Sequence, residues 1–218
     1  MSASDHAHRE RAELSDLLEV VGPDAPTLCE GWTTRDLAAH LIVREARPDA
    51  AIGVVGGPTA GWTEKVQNRE AQNDYEVLVD KVRTGPPLLS VFSLPGAASL
   101  MNLVEYVVHH EDVIRAQPGW TPRVLPDDLA DELWRRLRVP ARGAFRHAAT
   151  GVTLERTDGR GGLGVVRSGE PMVTVRGSAL ELLMLAFGRR AVDVTVDGDP
   201  DAVAAFESAY LVPPATRA

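Results

Sequence analysis

The stretch MNLVEYVVHHEDVIRA, residues 101–116, predicts a helix that carries charged side chains beside its apolar face. Successive helical residues are about 100° apart around the axis. Glu105, His109 and Asp112 therefore fall within about 60° of one another, at the edge of the stripe that contains Val108. Because burying an uncompensated charge costs several kcal/mol, this trio requires an arginine, contact with solvent or a metal ion.

The Glu105–His109 pair has two interpretations. A Glu and a His four residues apart on a helix can be a solvated pair that stabilises the helix by a few tenths of a kcal/mol. The same spacing also lets both side chains bind one cation, and zinc accepts imidazole nitrogen and carboxylate oxygen. A catalytic zinc site has three protein ligands and an open fourth position, so a third ligand would have to come from another part of the chain.

The other histidines are the candidates for that ligand: His6, His8, His40, His110 and His147. The first two lie close to a terminus, where chains commonly fray. His110 points about 100° away from His109, and His147 lies at a predicted domain boundary. His40 lies inside a second predicted helix, TTRDLAAHLIVREA, and helical bundles build metal sites from facing helices.

Apolar spacing predicts mainly helical structure in the first part of the chain. Helices are predicted over residues 4–22, 33–46, 62–83, 97–116 and 127–147. We expect a helix end or kink at Pro48, a break near Asn73 and an interruption at Pro140. Thr33 followed three residues later by Asp36 predicts a capping pair at the start of the second helix.

The pattern changes near Thr150. The segments GVTLERTDGRGGLGVV, PMVTVRG and AVDVTVDG predict short strands. SALELLMLAFG and DPDAVAAFESAY predict helices that begin with a capping Ser or Asp. The sequence therefore predicts two domains, a helical domain over residues 1–148 and a small α+β domain over residues 149–218.

Composition restricts the function classes. The net charge is −8, from 23 basic and 31 acidic residues, so nucleic acid and anionic membrane surfaces are not expected partners. No apolar run reaches the roughly 18 residues of a membrane span. Cys29 is the only cysteine, which excludes an intrachain disulfide and fits a reducing cytoplasm. We expect a cytoplasmic monomer or homodimer.

Two motifs, LCEGWTTRDLAAHL and NLVEYVVHHEDVIRA, resemble the mycothiol-dependent maleylpyruvate isomerase family. Its pattern is G-W-[ST]-x-x-D-L-x-x-H-L on one helix and E-x-x-x-H-x-x-D on another, and the HHED form resembles an actinobacterial subfamily of metal-binding proteins. The segment VTVRGSALELLMLAFGRRAVDVTVDGDPDAV is similar to the C-terminal domain of the same family. The resemblance implies a DinB-like four-helix bundle followed by a small, sterol-carrier-like α+β domain.

The resemblance also implies which residues bind a metal. His40, Glu105 and His109 occupy the positions that bind a divalent metal in the family, usually taken as zinc. Asp112 would orient a ligand imidazole through a hydrogen bond. Asp36, in the same motif as His40, would have a similar supporting role.

The activity that the resemblance implies depends on a low-molecular-weight thiol, mycothiol, held near the metal. A free thiol has a pKa of about 8.5, and metal coordination stabilises its thiolate. The thiolate would add to an electron-poor double bond, the resulting single bond would rotate, and elimination would give the other isomer. The same site could instead join the thiol, through its sulfur atom, to a small electrophile, as an S-transferase does. The alternative is a non-enzymatic protein that binds a metal or a small ligand with the same fold.

Three further residues each have two interpretations. Cys29 lies before the His40 helix and is either a small packing residue or a nucleophile. Arg189 and Arg190 lie in a predicted turn, where they are either solvated or bind a carboxylate substrate, if the second domain covers the metal site. Packing and solvation are the simpler interpretations.

Overall fold

The computed structural model describes residues 1–46, 60–86 and 97–211. Pro48, where the sequence predicts a helix end or kink, lies outside these residues. Contacts between Cα atoms divide the chain into two compact units, Met1–Trp120 and Thr121–Ala218. No helix in the described ranges is both long and apolar enough to cross a membrane.

The first unit is helical. Its described helices are α1 (Ala3–Val21), α2 (Thr34–Ala46), α3 (Ala60–Glu70), α4 (Tyr75–Thr84) and α5 (Ala97–Ile114). α1 packs against α4 and α5, and α2 packs against α3 and α4. The predicted break near Asn73 is confirmed, because a turn at residues 71–74 separates α3 from α4.

The start of α2 is held by the predicted pair of Thr33 and Asp36. The Asp36 carboxylate accepts hydrogen bonds from the Thr33 backbone N–H at 2.9 Å and from the Thr33 hydroxyl at 2.8 Å. A carboxylate in the first turn also complements the positive end of the helix dipole. These contacts hold the N-terminus of α2, which lies nearly two turns before His40.

The C-terminal half of α5 is enclosed by the rest of the first unit. Every residue from Tyr106 to Val113 is buried, and Glu111 and Asp112 are fully so. The sequence-based expectation of one apolar stripe with polar groups at its edge is therefore wrong for this half of the helix. The physical reason is that α1 covers one side of α5 while His40, on α2, reaches another.

A buried polar network joins α1, α2 and α5. Arg11 donates from Nη2 to Glu45 Oε1 at 2.7 Å and from Nε to the Tyr106 hydroxyl at 2.8 Å. The Tyr106 hydroxyl in turn donates to Glu45, and all three residues are buried. Because each charged group has a partner, the network can be buried without an uncompensated charge, and it links the helices that carry the candidate site.

The second unit combines helices with a small sheet. Its described elements are α6 (Asp127–Ala144), β1 (Gly151–Arg156), β2 (Gly162–Arg167), β3 (Met172–Gly177), α7 (Ala179–Ala186), β4 (Thr195–Gly198) and α8 (Pro200–Tyr210). The strand order is β2-β1-β3-β4, with β1 and β3 parallel and the other pairs antiparallel. The predicted fold class, a helical region followed by a small α+β region, is confirmed.

Two features of α6 differ from the sequence-based expectation. The division between the units falls after Trp120 rather than near residue 148, because α6 packs against α7 and β2 of the second unit. α6 also continues through Pro140 for another turn instead of being interrupted there. Leu137 and Ala141, on either side of the proline, are buried, and this packing offsets the hydrogen bond that proline cannot donate.

Candidate metal centre

His40 on α2 and His109 on α5 direct their Nε2 atoms at the same oxygen of Glu105. Each Nε2 lies 3.2 Å from Glu105 Oε1. The two imidazole rings are 5.2 Å apart between centroids and meet at 72°. One ligand atom from each residue lies within 4.8 Å of the other two, and the two 3.2 Å separations from Glu105 Oε1 are ones that a single cation with bonds of about 2 Å can bridge. The structure thus brings the three residues together, whereas their role as ligands stays a prediction.

Asp112 holds the opposite edge of the His109 ring. Its Oδ2 lies 3.0 Å from His109 Nδ1, and Asp112 is fully buried. A carboxylate at Nδ1 favours the tautomer with its proton on that nitrogen, which leaves Nε2 with a free lone pair. The contact is therefore the one expected for a ligand imidazole with a supporting carboxylate.

Cys29 also reaches this carboxylate. Its Sγ lies 3.3 Å from Asp112 Oδ2 and 4.0 Å from His109 Nδ1. The backbone N–H of Leu28 donates to the carbonyl oxygen of Asp112 at 3.0 Å, so the loop before α2 is tied to α5. Because the thiol faces Nδ1 rather than Nε2, it is not a fourth donor at the cluster of His40, Glu105 and His109.

Arg44 is a neighbour of Glu105 that the sequence motif does not include. Its Nε lies 3.3 Å from Glu105 Oε1, and its Nη1 donates to Asn102 Oδ1 at 2.8 Å. Arg44 follows His40 by four residues, so helical spacing alone could have placed both on one face of α2. The arginine shares the carboxylate without saturating it, because an ionised carboxylate has about four lone-pair positions.

The close packing of these groups shifts three pKa values. Burial lowers the pKa of His40. Burial alone would raise the pKa of Glu105, but the hydrogen bonds from the two histidines hold it well below its usual range. Burial likewise opposes the charged form of His109, but the hydrogen bond to Asp112 is the largest of the effects that raise its pKa well above its usual range.

The metal-free protein is expected to lose stability as the pH rises. The pKa of folded His109 lies above the value of about 6.5 for an unfolded histidine. The stabilisation that protonated His109 gives to the folded protein is therefore fully present below about pH 6.5. It is lost as the pH rises through the pKa of His109 in the folded protein. Urea denaturation of chelator-treated protein at several pH values measures this loss. His109→Gln is the control, and an equal pH dependence in both proteins would contradict the assignment.

Three other sequence-predicted residues lie outside this cluster. The Asp36 carboxylate accepts two hydrogen bonds from Thr33, which fix the start of α2, and its support of a ligand imidazole stays a prediction. In the second unit, Arg189 and Arg190 each donate to a backbone carbonyl of that unit, at 2.7 Å and 3.0 Å. The binding of a substrate carboxylate by these arginines stays a prediction.

The donor set suits a divalent metal. It consists of two buried imidazoles and one partly buried carboxylate, a combination that zinc and similar ions accept. Trp32 lies against His40, with 5.0 Å between ring centroids, and restricts the orientation of that imidazole. Three protein donors leave room for a further ligand on a four-coordinate ion. The residues present therefore fit the divalent metal that the family resemblance implies.

Residues 7–93 match the family described as the mycothiol maleylpyruvate isomerase N-terminal domain. This range contains His40 and ends before α5, which carries Glu105 and His109. The chain is similar in structure to the mycothiol-dependent maleylpyruvate isomerase and to a variant of it with one histidine replaced by alanine. Both are 16% identical to this chain, and each match covers 89% of this chain and 91% of the other, with TM-scores of 0.61 and 0.60. At this identity the likeness shows a shared fold, and no curated protein matches the sequence.

Proposed function

We propose that this protein is a thiol-dependent isomerase or S-transferase that acts on a small electrophile, because its residues 7–93 match the mycothiol maleylpyruvate isomerase N-terminal domain family. The proposal includes a divalent metal. One observation carries it: the Nε2 atoms of His40 and His109 each lie 3.2 Å from the same oxygen of Glu105. The fold shared with the isomerase over most of the chain supports it.

The three converging residues would hold the metal, with zinc as the expected ion. When bound, the metal would supply stabilisation of the thiolate of mycothiol or a similar low-molecular-weight thiol, the nucleophile of the reaction. Burial keeps His40 in the neutral form that a ligand requires. Asp112 fixes the ring of His109, and Arg44 favours the ionised form of Glu105.

The substrate class follows from the nucleophile. A thiolate attacks an electron-poor double bond or another small electrophilic centre. Binding of a substrate carboxylate by Arg189 and Arg190 stays a separate prediction. The expected setting is the reducing cytoplasm inferred from the single cysteine, Cys29, with the protein acting as a monomer or homodimer. Each of these points is part of the proposal.

A titration of the cobalt-substituted protein with mycothiol tests the thiol role. Direct binding of sulfur to Co²⁺ is expected to produce intense charge-transfer absorption, together with thiol-dependent turnover of an electrophile. The S-methylated thiol is the matched control, because it cannot form a thiolate and should leave the spectrum unchanged. A cobalt-loaded protein with no spectral change and no turnover would instead favour the non-enzymatic, ligand-binding alternative.

A further inference from the structure

A second cluster of metal-binding residue types lies between α1 and α5. Glu10 and Glu13 are three residues apart on α1, and His110 follows His109 on α5. One ligand atom from each of these three residues lies within 4.8 Å of the other two. We propose that Glu10, Glu13 and His110 form a second site for a divalent transition-metal ion.

The cluster is built into the packed interior. Glu10 is 2% exposed and His110 is 6% exposed, and Glu10 Oε2 lies 3.1 Å from His110 Nδ1. Glu13 completes the set from the solvent side, where its side chain is 39% exposed and Arg9 Nε lies 2.8 Å from its Oε1. Two residues of the cluster are thus held in place by packing, while the third gives an ion access from solvent.

The charges favour a cation at this place. Two carboxylates that converge from one helix face repel each other, and burial strengthens that repulsion. Arg9 offsets part of the charge of Glu13 at the surface. A divalent ion bound between the two carboxylates would neutralise both, and it would join α1 to α5 through bonds to side chains of each helix.

The donor types select the class of ion. Carboxylate oxygens alone would suit magnesium or calcium, whereas an imidazole nitrogen suits zinc, iron, copper or nickel. The set of two carboxylates and one imidazole therefore fits zinc, iron or their spectroscopic substitute cobalt. With three protein donors, water would complete the coordination of the ion.

The second cluster is separate from the first. His109 and His110 are neighbours in sequence, and their side chains leave α5 about 100° apart. His109 contacts Glu105, Asp112, Cys29 and the ring of His40, whereas His110 contacts Glu10. The two groups of donors share no residue, so the second site can be tested while the first is disabled.

The metal-free alternative is a buried hydrogen bond between Glu10 and His110. That pair accounts for the 3.1 Å contact. It does not involve Glu13, which pairs with Arg9 at the surface and whose ligand atom lies near both Glu10 and His110. The two explanations therefore differ in what replacement of Glu13 does to metal binding.

The test uses full-length protein with His109→Ala. In the described part of the chain, His109 belongs both to the cluster with His40 and Glu105 and to a neighbouring group of donors with Cys29 and Asp112, so this change disables both. We expect this protein to bind one equivalent of Co²⁺, measured by calorimetry and by absorption of the metal. Adding Glu13→Gln should weaken the binding by about tenfold or more, since even outer-shell changes weaken metal sites by about 10- to 100-fold. Glu10→Gln in the same background should abolish it.

Asp16→Asn is the matched control, because Asp16 is an exposed carboxylate of α1 that pairs with Arg83 rather than with the cluster. It should leave Co²⁺ binding unchanged. If circular dichroism shows that Glu10→Gln does not fold, Glu13→Gln still provides the test, because Glu13 is at a partly exposed position. Absence of Co²⁺ binding in the His109→Ala protein, or equal affinity with and without Glu13→Gln, would overturn the second site. Both outcomes are independent of whether the first site binds metal.

Discussion

Replacing His40 with alanine is expected to remove one equivalent of bound divalent metal from the purified protein. Among the described residues, His40 supplies one of the three converging donors, and its Nε2 lies 3.2 Å from Glu105 Oε1. Loss of a ligand should weaken binding by more than the roughly 10- to 100-fold that follows changes in outer-shell partners. The metal content per chain, measured by mass spectrometry after dialysis, gives the result directly.

His8→Ala is the matched control for this measurement. It removes the same functional group from an exposed position on α1, so it should leave the metal content at the level of the unmodified protein. His109→Ala should match His40→Ala, because both imidazoles face the same carboxylate oxygen. If His40→Ala retained all of its metal, the site formed by α2 and α5 would be excluded, and the proposed function with it.

The second large effect is expected at the buried network of Arg11, Glu45 and Tyr106. We expect Arg11→Met to lower the free energy of unfolding by about 3–5 kcal/mol, the range for removing one partner of a buried ion pair. The reason is that the side chain of Glu45, 5% exposed, would lose the guanidinium that lies 2.7 Å away. Urea denaturation followed by circular dichroism measures the change.

Arg9→Met provides the comparison on the same helix. Arg9 also pairs with a glutamate, but the side chains of Arg9 and Glu13 are 57% and 39% exposed, so the expected change is at most about 1 kcal/mol. The double variant Arg11→Met with Glu45→Gln should lose less stability than Arg11→Met alone, since no uncompensated charge remains buried. Equal losses for Arg9→Met and Arg11→Met would show that burial does not determine the strength of this network.

Much of the fold could be predicted from local patterns. The period of the apolar residues marks α1 and α5, and the Thr33–Asp36 pair marks the start of α2, because both signals act within one or two helical turns. The same local patterns wrongly predicted an interruption of the helix at Pro140. A proline weakens a helix locally, but the burial of Leu137 and Ala141 depends on segments that are distant in sequence.

In the candidate site, too, local patterns predicted some features and the packing of distant segments decided others. Helical spacing alone put Glu105 and His109 on one face of a helix, while the choice of His40 rested on a resemblance to known proteins. The contacts of Arg44 with Glu105 and of Cys29 with Asp112 were not predicted. They depend on how α2 and its preceding loop approach α5, and no local pattern contains that information.

The sequence by itself determined which segments of this protein are helices or strands, and which side chains within one helix lie close together. Backbone hydrogen bonding and side-chain spacing operate over a few residues, so a local pattern is enough for both. Only the tertiary structure decided that α5 is buried on all sides from Tyr106 to Val113, and that its two adjacent histidines face different partners. Burial and contact between helices arise from packing across long stretches of chain, and packing brings His40 to the carboxylate of Glu105 and Glu10 to the imidazole of His110.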